Sequence, residues 1–399
     1  CWYDMADSFR LMLIIDILSN KDYLEYISVH KRKILDFSAR IHHQVLMKNG
    51  YASKGNHRIF QLLSLLRYSK FIENKEDESK FKNEILKFYH LQFDKDGVHL
   101  EHSPEYHVWA TLLFKEIFSN FDDLNNNSDL ISKAMDFSKY LFCSNYKLAL
   151  IGDSGLDNNT EYCNLIQPMF REKGSFSLEN THYIINGNDC LGQYFICILS
   201  ANSRVHKHSD SGSFEFTTNK KKVITDSGKY SYTKSSKSKE IRSIKSHNVA
   251  YKVGYEVTND LTYSIFEKTI QNEAVLYCIK GSGDYSDHTR FFIILEQSSL
   301  VVIDIFDKGD NYRSIVNFDP GLDWKKYYQP LLGIKSWEEE VGIHSQYYGE
   351  ANENNRIVQT ISNISCYAIS SIPIERFSYT NNEIFIYYRK NEYTFKLKR

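Results

Sequence analysis

Thr181-His182-Tyr183-Ile184-Ile185 and, seven residues on, Gln193-Tyr194-Phe195-Ile196-Cys197-Ile198-Leu199 mark the point where the chain changes character. Both runs are short, β-branched and aromatic, and polar residues flank them, which predicts strands. Downstream the same pattern recurs at Ser213–Thr217, Ala274–Ile279, Phe291–Leu295 and Val301–Ile305. The terminal pair Ile384–Tyr388 and Tyr393–Leu397 flanks Lys390-Asn391-Glu392 and reads as a hairpin. Many strands, polar turns and few helices predict a large antiparallel β-sandwich. Upstream of Gly174 the periodicity is helical. Met5, Phe9, Leu13, Ile14 and Leu18 begin one apolar stripe, and a second helix is expected from about Asp22 to Met47, punctuated by Gly50. A third carries Ile59, Leu62, Leu63, Leu65 and Leu66; a fourth covers Ser79 to Phe93; a fifth opens after Ser103-Pro104; a sixth covers Asp129 to Phe142. Long helices with short links predict antiparallel helical hairpins, the unit of an α/α toroid.

At 399 residues the chain exceeds one ordinary core, so two domains are expected, 1–165 helical and 166–399 strand-rich. The 42% hydrophobic and 25% charged content excludes a disordered chain. The 29 Tyr and 25 Phe suit sheets and sugar-stacking surfaces, with a biased genome composition the equally weighted alternative. A net charge of −1 supplies no global field for a polyanion or nucleic acid, so an anionic partner must be gripped locally. The seven cysteines are odd in number and form no C-x-x-C pair, which implies neither a zinc ribbon nor a disulfide framework. No apolar run is long enough for a membrane span. The chain opens at Cys1 inside a helical pattern and reads as a fragment or processed chain, so a signal for export is not visible.

Five constellations carry chemistry. Gly55-Asn56-His57 places an amide and an imidazole at a helix start, where anions are favoured; on spacing alone the N-cap reading of Asn56 is preferred. Glu101-His102-Ser103-Pro104-Glu105-Tyr106-His107 puts Tyr106 and His107 in a first helical turn, where a phenol can exchange a proton or simply pack. His206-Lys207-His208-Ser209-Asp210, if a strand, aligns His206, His208 and Asp210 on one face, a metal or proton-transfer pattern whose alternative is a solvated edge. Asp226-Ser227-Gly228 and Arg242-Ser243-Ile244-Lys245-Ser246-His247-Asn248 bracket a basic stretch. From Lys229 through Arg242 to Lys245 that stretch carries a net +5, suited to carboxylates or sulfates and equally to a solvated loop.

In order and register these motifs resemble the heparinase II/III superfamily of polysaccharide lyases over residues 1 to about 250; beyond that the likeness is only β-richness. Trp2-Tyr3-Asp4-Met5-Ala6 with Arg10 resembles a late toroid helix, Asn56-His57 the Asn-His element, and Ser103-Pro104-Glu105-Tyr106-His107 the Ser-Pro-x-Tyr-His element. His206-Lys207-His208-Ser209-Asp210 resembles the His-x-His-x-Asp signature, Asp226-Ser227-Gly228-Lys229-Tyr230 the Asp-x-Gly-x-Tyr strand, and Arg242-Ser243 with His247-Asn248 the Arg-Ser…His-Asn element.

The resemblance implies an α+β multidomain chain, an incomplete α/α toroid followed by a large antiparallel β-sandwich, with a cleft between them. It implies β-elimination on a uronate-containing anionic polysaccharide, glycosaminoglycan-like or alginate-like. Asn56 would bind the uronate carboxylate; Tyr106 would protonate the leaving oxygen and, in syn elimination, also act as base. His57 and His206 would assist neutralisation or abstract the proton of the epimeric uronate, while His107, Arg242 and Lys229 would bind substrate. His208, Asp226 and His247 match the family's metal positions, usually zinc and largely structural. The chemistry agrees: a proton beside a carboxylate is barely acidic until that charge is neutralised. A Tyr, with a reference pKa of ~10, needs cationic neighbours to act as base.

Three departures stand out: Lys207 replaces the usual Gly, Ser227 replaces a frequent Pro, and the loop before His247 is shorter than in alginate-type members. Those members carry a further Tyr there, and Tyr230 and Tyr232 are left without an assigned place. A capsule- or exopolysaccharide-processing relative and a non-catalytic acidic-glycan binder are the competing expectations. The chain lacks His-Glu-x-x-His, a Walker loop and a Ser elbow, which argues against a metalloprotease or phosphoryl transfer. A periplasmic or secreted bacterial location is expected.

Overall fold

Apolar spacing and capping explain the helices. In α1 (Asp4–Ser19) Leu11, Met12, Ile14 and Ile15 turn inward. The expected second helix is two, α2 (Lys21–Glu25) and α3 (Val29–Leu46). Ser28 breaks it by capping α3, accepting a bond from Lys31 N–H at 3.4 Å, and Arg32 bonds the carbonyls of Leu24 and Ile27 at the break. The helix α4 (His57–Phe71) follows, then α5 (Lys75–Gln92), capped by Asn74 and acidic in its first turn at Glu76, Asp77 and Glu78. Pro104 opens α6 (Pro104–Ser119) as expected, with Ser103 Oγ accepting from Tyr106 N–H at 3.3 Å. After these come α7 (Ser128–Ser138), α8 (Asn159–Ile166) and the short α9 (Ser236–Ile241).

This computed structural model describes residues 4–48, 55–121, 124, 126–166, 174–199, 206–254, 262–283, 286–296, 298–309 and 311–397. Trp2, Tyr3 and Gly50, which carry expectations above, lie outside them. The chain divides into two compact units, one of residues 1–95 and 112–132, the other of 96–111 and 133–399. Among the described residues no helix is long and apolar enough to cross a membrane.

The second unit is an antiparallel β structure. A five-stranded sheet runs in sequence order through β1 (Ser175–Glu179), β2 (Tyr183–Asn188), β3 (Gln193–Ile198), β4 (Phe214–Thr218) and β5 (Lys221–Ile224). An eight-stranded sheet is built from β6 (Ala250–Lys252), β7 (Tyr263–Gln271), β8 (Ala274–Gly281), β9 (His288–Leu295), β10 (Ser299–Phe306), β11 (Tyr312–Asn317), β12 (Tyr328–His344) and β13 (Asn352–Ile369). Its path is β6-β11-β13-β10-β9-β8-β7, with β12 paired to β13. A three-stranded sheet, β14 (Arg376–Tyr379), β15 (Glu383–Tyr388) and β16 (Asn391–Lys396), completes the unit. The terminal hairpin turns on Arg389-Lys390, both at positive φ (50° and 64°), one residue earlier than the sequence reading placed it.

Strand alternation explains why the middle of the large sheet is apolar on both faces. Leu300, Val302, Phe292 and Ile294 join Ile184, Phe195, Phe214 and Phe216 of the five-stranded sheet in one core. Their neighbours Val301, Ile303, Phe291 and Ile293 join Ile384, Ile386, Tyr388 and Phe395 of the three-stranded sheet in another.

A buried ion pair interrupts the first core. Arg290 on β9 is 1% exposed and bonds Asp304 on β10 through Nε at 2.6 Å and Nη2 at 3.1 Å. Its Nη1 donates to the carbonyls of Gly212 and Asn248, both at 2.7 Å. Those two loops lead from His208 and His247, so the buried guanidinium ties the large sheet to the loops described next.

Candidate active site

Four loops of the second unit meet around one carboxylate. Buried Leu148, Ala149, Leu150 and Ile151 lead into Gly152, at φ +59°, which turns the chain to present Asp153. A Cβ at Gly152 would lie 3.3 Å from the carbonyl of His206 and 3.4 Å from that of His102. The turn is strapped to the start of α6: Ser103 Oγ donates to the Asp153 carbonyl at 2.9 Å, and Gly155 N–H donates to Glu105 Oε2 at 2.8 Å.

Asp153 is 2% exposed and takes bonds from three partners. His206 Nδ1 lies 2.9 Å from Oδ2, His208 Nε2 lies 2.8 Å from Oδ1, and Arg242 Nη1 reaches both oxygens at 2.9 and 3.0 Å. Burial by itself would raise this carboxyl. The bonds from His206 and His208 and the charges of His208 and Arg242 outweigh it and hold Asp153 far below the usual carboxylate range.

The segment His206-Lys207-His208-Ser209-Asp210 is not the strand that its alternation was read for; it is an irregular loop before β4, with His206 at φ +60°. A left-handed non-glycine residue costs roughly 1–2 kcal/mol. That strain aims His206 and His208 at opposite oxygens of one carboxylate, an arrangement that a strand would not give.

With Nδ1 protonated toward Asp153, His206 lays its ring on Tyr106, centroids 3.8 Å apart and 26° from parallel. Tyr106 Oη shares a hydrogen bond with Tyr232 Oη at 2.7 Å, and Tyr232 Oη lies 3.2 Å from His206 Nδ1. Trp109 meets Tyr106 edge-on at 6.0 Å. Burial pushes the Tyr106 phenol up to about 12, the bond from Tyr232 pulling against it and Asp153, Glu105 and Glu101 adding to it. Burial, then the charge of Asp153, raise Tyr232 further still. Both phenols are therefore protonated at neutral pH, available as acids.

Tyr106, His206, Arg242 and His208 are thus gathered in one cluster. Asn56 and His57 belong to the other unit, at the start of α4, where Asn56 stands in the N-cap position without making a side-chain cap bond. His107 is 2% exposed: Nδ1 accepts from His99 N–H at 3.2 Å, so Nε2 carries the proton toward the Ala134 carbonyl and Ser138 Oγ, both at 3.0 Å. Lys229 is 8% exposed and pairs with Glu105 at 2.7 Å. Of the three residues expected to touch substrate, Arg242 is the one with substantial exposure, 33% of its side chain.

Asp226 and His247 pair directly, Oδ1 to Nδ1 at 2.7 Å, and Ser213 Oγ donates to Asp226 Oδ2 at 2.5 Å. Burial is the largest single influence and works against both charges, but the partner's charge and hydrogen bond, with Ser213 and His208 helping Asp226 and Asp210 helping His247, together outweigh it, lowering the Asp226 carboxyl and raising the His247 imidazole. The His208 and His247 rings are 5.3 Å apart, and His208 Nδ1 and His247 Nε2 are buried without a hydrogen-bond partner. Those two nitrogens fit a metal. Among the described residues, however, no group of three His, Cys, Asp or Glu side chains is gathered to hold one.

Sequence reasoning missed Asp153 and gave Tyr232 no role. The available signal for Asp153 was an acid set between Gly152 and Gly155 directly after a buried apolar run.

The family described as Heparinase II/III-like, C-terminal, matches residues 171–324. No curated protein matches the chain. Among solved structures, a heparinase III aligns with a TM-score of 0.78 at 17% identity, covering 99% of this chain and 75% of that one. A second heparinase III gene product gives 0.78 at 15%, covering 99% and 74%. The heparan sulfate lyase HepC from Pedobacter heparinus gives 0.69 at 15%, covering 91% and 69%. At these identities the likeness is one of fold.

Proposed function

We propose that the chain, whose residues 171–324 match the heparinase II/III-like C-terminal family, is a polysaccharide lyase of that superfamily, cutting a uronate-containing anionic glycan by β-elimination. We read the helical part, residues 1–165, as a piece of an α/α toroid and residues 166–399 as the sandwich domain, with export to the periplasm or beyond as the setting in which such polymers are met.

The observation that carries this reading is the Tyr106–His206–Tyr232 cluster over Asp153. In elimination a base takes the proton at C5 and its electron pair forms the C4–C5 double bond. The C4–O bond breaks and the leaving oxygen takes a proton. Tyr106, protonated and receiving a bond from Tyr232, has its own O–H left to give to that oxygen, and Tyr232 then stabilises the phenolate. His206, held by Asp153 with Nδ1 protonated, offers Nε2 as the acceptor for the C5 proton of the matching epimer. In the syn case Tyr106 would first have to give up its own proton, against the burial that raises it, and would then take the C5 proton and pass it to the leaving oxygen. Arg242 offers charge for a carboxylate or sulfate, and Asn56, matching the Asn-His element, is assigned the carboxylate-neutralising amide.

A structural divalent ion, zinc first, is proposed on the same footing. His208, Asp226 and His247 would hold it, a donor set that suits zinc, and the His247–Asp226 bond would have to open to admit it. Metal analysis of the purified protein, with the Tm before and after chelation, tests this: no bound metal and an unchanged Tm remove it.

The lyase itself is tested on a panel of glycosaminoglycans and alginate. Growth of the ultraviolet absorbance of a 4,5-unsaturated uronate on one polymer is expected; silence across the panel overturns the proposal.

A further inference from the structure

The strands β12 and β13 form a long hairpin whose tip, residues 345–351, returns from the eight-stranded sheet to the loops of the candidate site. Ser345 N–H donates to the Ser227 carbonyl at 2.8 Å and Gly349 N–H to the Tyr230 carbonyl at 2.7 Å. Leu156 N–H donates to the Gln346 carbonyl at 2.7 Å, and Ser345 Oγ to the Lys229 carbonyl at 2.7 Å. Tyr348 N–H reaches both Asp157 oxygens, at 3.1 and 3.0 Å. The approach is so close that a Cβ on Gly228 would lie 2.0 Å from the Ser345 carbonyl oxygen.

These bonds fix an aromatic ring that is not buried. Tyr348 stays 48% exposed, with its centroid 5.9 Å from the Tyr232 ring. Lys229 Nζ sits 5.9 Å from the centroid of the Tyr348 ring, and Tyr348 Oη accepts from Tyr232 N–H at 3.4 Å. Tyr348 therefore extends the Tyr106–Tyr232 cluster outward, and part of its surface remains open to solvent. A rigid, half-exposed phenol costs little further entropy on binding and offers apolar area to the C–H face of a pyranose.

We propose that Tyr348 is a stacking platform for a sugar ring beside the cleaved linkage, selecting which glycans are held next to the Tyr106–His206–Tyr232 cluster. The inference rests on the lyase reading and deepens it.

Tyr348→Ala, Tyr348→Phe and wild type are compared for binding of heparan sulfate and alginate oligosaccharides by calorimetry, and for kcat and KM on whichever polymer is cut. Tyr348→Ala is expected to weaken binding and raise KM about tenfold, roughly one aromatic contact, with kcat within about twofold of wild type. Tyr348→Phe should stay close to wild type, because the ring does the gripping. Asp157→Ala, which keeps the ring but frees the tip, should move KM in the same direction as Tyr348→Ala. Equal affinity in Tyr348→Ala and wild type, or no binding of either glycan by wild type, overturns the platform. Glycan bound through Tyr348 but never cleaved overturns the lyase reading alone.

Discussion

The Tyr106 hydroxyl sits between a stacked imidazole and a second phenol, and burial keeps its proton on at neutral pH. Tyr106→Phe removes one oxygen and keeps the ring on His206, so the Tm should barely move while turnover falls by at least ~10²–10⁴-fold. Single-turnover product formation beside a melting curve decides it, and near-normal turnover would take Tyr106 out of the chemistry. Asp153→Asn is a sharper probe of orientation. It leaves His206, His208 and Arg242 facing a neutral amide, and should cost on the order of 10²-fold in kcat together with roughly 1.5–3 kcal/mol of stability. An Asn variant with wild-type kcat would show that the carboxylate does not orient the histidine. Tyr106 and His206 were legible because each stands in a motif with ordered neighbours. Asp153 was not, because Gly-Asp-Ser-Gly has the composition of any turn and its partners lie 53 and 89 residues away.

At the scale of elements, hydrophobic period revealed the strands of the inner sheet, since burial on both faces leaves long apolar runs. It hid β12, whose exposed edge carries Glu338, Glu339 and Glu340 and reads as loop. Nor did sequence show that the His206–Asp210 segment is irregular, because alternation of polar residues has no strand signal unless the faces differ in burial. Arg290 and Asp304 looked like ordinary polar positions in apolar strands, and only the fold shows them joined. Breaking that pair strands a buried charge: Arg290→Met should destabilise by roughly 3–5 kcal/mol. Arg290→Met with Asp304→Leu should recover much of the loss, because the orphaned carboxylate goes too. Urea unfolding of the two variants checks this; a double variant as unstable as the single would mean that the carbonyl bonds to Gly212 and Asn248 dominate.

Across the second unit, buried histidines set the response to acid. Burial pushes His344 down to about 3, and lowers His99, His102 and His288 as well. The unfolded chain titrates each near ~6.5, so below that pH it takes up protons that the folded unit refuses. Each such histidine then costs up to ~1.4 kcal/mol per pH unit, for His344 over the window from ~6.5 down to its folded value. His247, raised by Asp226, has the opposite sign: its contribution is full below ~6.5 and fades as pH rises through its folded value. The four lowered groups outweigh it, so the urea midpoint of this unit should be lower at pH ~5.5 than at ~8. An equal or higher midpoint in acid would mean that these imidazoles are not held neutral.

The central claim is elimination, and the origin of the oxygen atoms in the product tests it most directly. A polymer that the protein degrades is digested in heavy-oxygen water and the new ends are weighed by mass spectrometry. The Tyr106–His206 mechanism breaks C4–O by electron movement into a double bond, so no water is added: the new non-reducing end should be an unsaturated uronate free of solvent oxygen, and the new reducing end should gain heavy oxygen only as fast as an intact reducing sugar exchanges its hemiacetal oxygen in the same water. Heavy oxygen incorporated at the cleaved linkage, with saturated ends, would be hydrolysis and would contradict the account.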